Sequence, residues 1–357
     1  MTEEYPKHPD DITPEWLTYA LRQAGLLTHS HVKNIRKEIL AKGKAWLSTI
    51  VKIEVEYDSP DENAPTSFVT KLLSESRMFR ESSYELKAFE REINFYKEVA
   101  VNIPIRLPKL FYSVNGYHCN LMLMEDLSYL TPGDQVKGMD QNQVLLALGS
   151  LAKVHATYWD NPLLDSLEWI PTTNNIEEDY NENWDSFVEL CGYFIDPKGL
   201  KVGEKIGPYI SWISQEISKR PKTITHDDMK EDNLLFGELG SDEAVVILDW
   251  QFVIRSMGAT DVARLIGGSE LPSERRGHQF EALRHWYEKL LENGVEDYSW
   301  DEAVRDFKLG ALSCLSFPVH FHKGIQRSEG RALEYIKAIY SRLFLSVVEI
   351  DAESVLP

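Results

Sequence analysis

The chain has 357 residues, of which 43% are hydrophobic and 27% charged, enough apolar material for two lobes with cores of their own. A formal net charge of −19 argues against non-specific binding to nucleic acid or to an anionic membrane surface, but not against anionic nucleotides held by local groups and a metal. Cys119, Cys191 and Cys314 are widely separated without metal-ligand spacing, MTEEYPKHPDD at the N-terminus lacks the apolar core of a signal peptide, and no apolar run spans a bilayer. These features point to a cytoplasmic protein without membrane or nucleic-acid partners.

In chain order, Thr13 and Pro14 read as the N-cap and first residue of a helix, with Leu17, Ala20, Leu21 and Ala24 at helical spacing and Gly25 as its stop. Strands are predicted over Ile35–Ala41 and Leu47–Tyr57, joined by Lys42-Gly43-Lys44-Ala45-Trp46, with Ser48 just beyond. Ser67–Leu73 reads as a third strand, and it contains Lys71. A lysine inside an apolar strand is costly unless its charge is paired. A helix over Ser82–Val99 carries Leu86, Phe89, Ile93, Tyr96 and Val99 as its apolar stripe, with Glu90 and Glu92 on different faces. Asn115-Gly116 signals a hairpin between strands at Leu110–Val114 and Asn120–Met124.

The remainder reads as mostly helical. Asp140–Tyr158 has helical periodicity and contains His155, which reads as a packed histidine. Asn161–Pro197 is irregular and aromatic-rich, and a helix follows over Gly203–Lys219. Three amphipathic helices close the chain, at about Glu274–Asn293, Trp300–Leu315 and Arg331–Leu345. His320 and His322 fall in a stretch predicted to be non-helical, suited to packing or an acceptor pocket.

The most informative stretch is Thr223–Gln251. His226-Asp227-Asp228 is followed by Asn233, by the apolar runs Leu234–Phe236 and Ala244–Leu248, and by Asp249 where the second run stops. The pattern predicts a loop, a strand, a turn and a strand, with Asp228, Asn233 and Asp249 at one edge of a hairpin. Hard divalent cations such as Mg²⁺ take oxygen ligands of this kind and share them with phosphates.

His226-Asp227-Asp228 with Asn233, followed by Leu248-Asp249-Trp250-Gln251, resembles the catalytic segment of the kinase-like phosphotransferases. The Asp-aromatic-Gln form is similar to that of the ecdysteroid kinase-like branch, beside the aminoglycoside and choline kinases. Asp227 departs from the Gly or Arg usual at its position. The resemblance implies an α+β, two-lobed protein-kinase-like fold. An N-terminal nucleotide-binding lobe would cover 1–126, with an antiparallel sheet and one key helix. A larger, mainly helical lobe over 127–357 would hold the catalytic and acceptor-binding groups.

It also implies ATP and Mg²⁺ as cofactors, and a small hydroxyl-bearing molecule as acceptor. Asp228 would be the catalytic base, with Asn233 and Asp249 as metal ligands. Lys71 would bind phosphate, oriented by Glu92 from the segment Phe89–Tyr96. Gly43 and Ser48 would belong to the loop over the phosphates. Glu125 and Leu127 would lie in the connector that holds the adenine edge, and Asp261 would brace the catalytic loop. Lys71 and the three oxygen donors would then serve one triphosphate. Two other readings remain: a kinase-like chain that binds nucleotide without transfer, and a His-Asp metal phosphohydrolase, prompted by His226-Asp227.

Overall fold

The computed structural model describes residues 5–40, 47–61, 64–116 and 119–357. The chain forms two compact units. One comprises Met1–Val101 with Leu107–Leu130, and the other Asn102–Arg106 with Thr131–Pro357.

The first unit is built on a five-stranded antiparallel sheet. Its strands are β1 (Val32–Leu40), β2 (Ser48–Tyr57), β3 (Ser67–Leu73), β4 (Leu110–Gly116) and β5 (Cys119–Glu125), in the order β1-β2-β3-β5-β4. Alternation along β3 sends Phe68 and Leu72 into a core with Val51, Ile53, Leu121 and Leu123. Helix α1 (Pro14–Gln23) covers that core with Leu17, Ala20 and Leu21. The predicted cap forms, as Thr13 Oγ1 accepts from the Trp16 amide at 3.2 Å. Such a cap contributes about 1 kcal/mol.

The single helix predicted over Ser82–Val99 is instead α2 (Arg77–Glu85) and α3 (Ala88–Asn94), followed by a π-helical turn over Phe95–Val99. The break is at Lys87, which adopts a left-handed backbone (φ 52°). A left-handed residue interrupts the i→i−4 ladder, yet Phe89, Ile93, Tyr96 and Val99 stay buried. Asn115 and Gly116 are the last ladder residues of β4, opposite Asn120 and Cys119, not the centre of the hairpin turn.

The second unit holds most of the helices: α4 (Gln141–Thr157), α5 (Leu163–Ser166), α6 (Tyr180–Cys191), α7 (Pro197–Ile206), α8 (Ile210–Ser218), α9 (Ala259–Gly268), α10 (Pro272–Arg275), α11 (Gln279–Glu292), α12 (Trp300–Ser313), α13 (Ser316–Phe321) and α14 (Gly330–Glu349). Short strands are set among them: β6 (Thr131–Pro132), β7 (Thr223–Thr225), β8 (Leu234–Phe236), β9 (Val245–Ile247) and β10 (Ile254–Ser256). They pair as β6-β8-β9 and β7-β10. The predicted hairpin is β8–β9, with Leu234 opposite Ile247 and Phe236 opposite Val245.

Several expectations for this unit change. The segment predicted to be irregular contains α6, and its aromatics are mainly core: Tyr180 and Phe187 are buried, and Phe187 stacks on Phe344 of α14 at 5.2 Å. The helix predicted over Gly203–Lys219 is two helices parted at Gly207–Tyr209, where Pro208 lacks the amide that would carry the ladder on. His320 is helical, in α13, and bonds Asp179 at 2.9 Å. His322 is buried between the Val319 carbonyl and Ser186 Oγ, so the two histidines serve separate partners. Among the described residues, no helix is long and apolar enough to cross a membrane.

Candidate active site

In the first unit, Lys71 on β3 lies between Ile50 of β2 and Met122 of β5. Its ammonium reaches Glu92 Oε2 of α3 at 2.5 Å, and the residues are 5% and 2% exposed. Glu92 rather than Glu90 is therefore the buried partner. Two charges leave water only when geometry compensates, and a direct charge-assisted hydrogen bond does so here. The ammonium also lies 5.8 Å from the Phe89 ring centre.

Ser48 opens β2 opposite Leu73 and is 7% exposed. Gly43 lies outside the described residues. Glu125 closes β5. Its amide donates to the Lys109 carbonyl at 2.9 Å, and its Oε2 accepts from the Lys109 amide at 3.1 Å. Leu127 is buried, and its carbonyl accepts from Leu130. Asp126, between them, pairs with Lys52 at 3.2 Å.

In the second unit, Asp228 and Asn233 are brought together. Asn233 Nδ2 donates to the Asp228 carbonyl at 2.9 Å and approaches its Oδ2 at 3.3 Å. That leaves Asn233 Oδ1 as the oxygen a cation would take. Asp249 follows β9, and the preceding Leu248 amide donates to the Asn233 carbonyl at 2.8 Å. Asp249 has a left-handed backbone (φ 65°), and its Oδ2 accepts from Gln251 at 3.1 Å. Asp227 is also left-handed (φ 61°). Non-glycine residues in that region carry strain of about 1–2 kcal/mol, which surrounding structure must hold in place.

The loop is held from several sides. His226 is fully buried. Its Nε2 donates to the Leu248 carbonyl at 2.7 Å, and its Nδ1 accepts from the Asp228 amide at 3.2 Å. Both ring nitrogens are thus used within the loop, which removes His226 as a metal ligand and with it the basis of the phosphohydrolase reading. Asp261 lies in the first turn of α9 and makes no helix cap. Its carboxylate instead accepts the amides of His226 at 2.7 Å and Asp227 at 2.9 Å. His155, fully buried on α4, donates from Nε2 to Asp261 at 3.3 Å and accepts Trp286 Nε1–H at 3.1 Å. Gly258 permits this packing, because a Cβ there would lie 2.8 Å from His155 Nδ1.

From another side, the Glu231 amide donates to Gln135 Oε1 at 2.9 Å, and Gln135 Nε2 donates to the Gly268 carbonyl at 2.6 Å.

Two cations face Asp228 that the sequence reading did not single out. Lys230 Nζ is 2.5 Å from its Oδ2, and Arg264 Nη2 is 3.4 Å from its Oδ1. Arg264 lies flat on Phe317, 3.8 Å from the ring centre. Burial disfavours the Lys230 ammonium, but Asp228, with smaller help from Tyr335 and Asp249, holds it above the ordinary lysine range. Arg264 had a signal in the sequence: three residues after Asp261 on one helix, it shares its face. Lys230, two residues beyond Asp228, had no comparable one.

Burial, with Asp261 and Asp228 adding like charge, pushes the Asp227 carboxyl up to about 7, although the Asn174 hydrogen bond and Arg264 oppose this. Among the described residues, no group of three His, Cys, Asp or Glu side chains is arranged to hold a metal. The candidate donors are the Asp249 carboxylate and the Asn233 amide oxygen, with the Asp228 carboxylate beside Asn233. They fit a hard cation that completes its shell with water and phosphate oxygens.

Residues 42–160 match the model of the ecdysteroid kinase-like family. Residues 209–314 match a second model, described as "Uncharacterized oxidoreductase dhs-27". No curated protein matches the sequence. Three solved structures share the fold at low identity. Choline kinase from Cryptosporidium parvum Iowa II is similar at TM-score 0.59 and 12% identity, over 97% of this chain and 98% of that one. Macrolide 2'-phosphotransferase MphH from Brachybacterium faecium is similar at TM-score 0.50 and 13% identity, over 91% and 98%. The GDP and kanamycin complex of APH(2")-IIia is similar at TM-score 0.54 and 13% identity, over 96% and 99%. The fold is that of the kinase-like phosphotransferases. Within that fold class, the family similarity lies in residues 42–160, which resemble the ecdysteroid kinase-like family.

Proposed function

We propose that the chain is an ATP-dependent phosphotransferase that moves a γ-phosphoryl group to a hydroxyl of a small molecule, in the reducing cytoplasm that its three free cysteines suit. The observation that carries this reading is the fixed loop from His226 to Asn233. Its backbone is fastened by Asp261, His226 and Gln135, so Asp228 is presented in one geometry beside Asn233. Phosphoryl transfer needs alignment and charge stabilisation more than covalent help from the protein.

In this reading, Asp228 accepts a hydrogen bond from the acceptor hydroxyl and takes its proton as the new P–O bond forms. Lys230 and Arg264 hold the carboxylate in orientation until then. Lys71, held straight by Glu92, binds the phosphates that are not transferred. Asn233 and Asp249 would hold Mg²⁺, whose chemistry is to neutralise charge on the phosphate oxygens. Gly43 and Ser48 would line the phosphate-covering loop, and the backbone at Glu125 and Leu127 would hold the adenine edge.

The Lys230–Asp228 pair favours one second reading, a nucleotide binder in which the base stays covered. ATP consumption over a panel of hydroxyl-bearing metabolites separates the two. Turnover on at least one acceptor, lowered on the order of 10²–10⁴-fold by Asp228→Asn, is expected. ATP binding with no turnover on any acceptor would establish the second reading instead.

A further inference from the structure

Asp227 occupies a left-handed position where the resemblance leads one to expect Gly or Arg, and its side chain has a specific use. Its Oδ2 accepts from Asn174 Nδ2 at 2.5 Å. The same Nδ2 donates to the carbonyl of Phe252 at 3.1 Å. An amide nitrogen carries two hydrogens, so one group can serve both acceptors. Asp227 adjoins Asp228, and Phe252 lies three residues beyond Asp249 in the same turn. One side chain therefore ties the loop of the candidate base to the turn of the candidate metal ligand.

Asn174 is itself held on a bracket. Arg255 of β10 fastens the preceding segment through three bonds: its amide to the Pro171 carbonyl at 2.8 Å, Nε to Ile170 at 2.9 Å and Nη1 to Leu164 at 2.7 Å. On the other side, Thr173 Oγ1 accepts the Asn175 amide at 2.9 Å and bonds Glu177 at 3.2 Å. Ser214 of α8 reaches the same Glu177 oxygen at 3.4 Å. A polar side chain anchored at both ends transmits position, because it has little freedom to follow a moving partner. Burial, with like charge from Asp261 and Asp228, disfavours the Asp227 carboxylate, and the Asn174 hydrogen bond opposes this.

We infer that Asn174 is a positioning residue which, through Asp227 and Phe252, fixes the spacing between Asp228 and Asp249. The tie stands on geometry alone; its role in catalysis rests on the phosphotransfer reading above. Asp227→Gly would relieve the left-handed backbone but remove the tie, so stability and position should part company. Asp227→Asn keeps an oxygen for Asn174.

Hydrogen exchange by mass spectrometry on the full chain tests the tie, over peptides spanning 223–233 and 245–254. In Asn174→Ala and Asp227→Gly, exchange is expected to rise on the order of tenfold in both peptides, with Asp227→Asn staying close to the parent chain. Kinetics on the responding acceptor test the role. The expected result for Asn174→Ala is a fall in kcat on the order of tenfold, with KM for ATP within about twofold. Unchanged exchange in both peptides overturns the tie. Raised exchange with unchanged kcat overturns the positioning role. A parent chain that transfers phosphoryl to no acceptor contradicts the phosphotransfer reading, and with it the role, while exchange still decides the tie.

Discussion

The Lys71–Glu92 pair shows what a buried charge demands of its neighbours. Removing one partner leaves the other charged, buried and unpaired, which costs on the order of 3–5 kcal/mol. Lys71→Ala is therefore expected to destabilise the first unit by about that amount in urea titration, whereas the double change Lys71→Met with Glu92→Leu is expected to recover most of the loss. Nucleotide binding is expected to vanish in both. Recovered binding in the double variant would show that the pair is structural only. Lys71 was legible because a cation interrupts an apolar strand, and Glu92 because it falls on the matched position of the family resemblance in Phe89–Tyr96. Asn174 was not, because its partners are 53 and 78 residues away and no pattern links them.

Glu270 gives a second test at this scale. It is 1% exposed, and neither carboxyl oxygen has a hydrogen-bond partner among the described residues. Burial pushes its pKa from 4.5 up to about 7. Between those values the unfolded chain binds fewer protons than the folded one, so stability falls as pH rises through the window. Glu231 shifts in the same direction, to about 7. Glu270→Gln is expected to stabilise the protein by about 2 kcal/mol at pH 8 and hardly at pH 4, as measured by urea midpoints. Equal effects at both pH values would mean that Glu270 folds without a titration penalty.

Among the elements, α9 links sequence to site most directly. Asp261 braces the backbone of the loop, and Arg264 on the next turn meets Asp228. Gly258 starts that helix against His155 because no side chain fits between them. Gly258→Ala must displace His155 from Asp261 and Trp286, so a loss of about 1–3 kcal/mol is expected by thermal unfolding. A neutral result would mean that α4 and α9 part without cost. The β8–β9 hairpin was legible because two short apolar runs flank a turn-rich linker. The break at Lys87 was not, because apolar spacing survives a single left-handed residue and no glycine marks it. Helix α6 was obscured by an aromatic-rich composition that suits a pocket as well as a core. Its rings against α14 show that the core prevailed.

For the whole molecule, a net charge of −19 means that any nucleotide is held by local cations against the general field. In the proposed function that task falls to Lys71 and to a cation held by Asn233 and Asp249. The most direct measurement is the thermal shift produced by ATP with and without Mg²⁺ in the parent chain, Lys71→Met and Asp249→Asn. A ligand at 100 times its dissociation constant stabilises by about 2.7 kcal/mol, which such a shift resolves. The expected result is a Mg²⁺-dependent shift in the parent chain that both variants lose. A parent-sized shift retained in both variants would contradict the account.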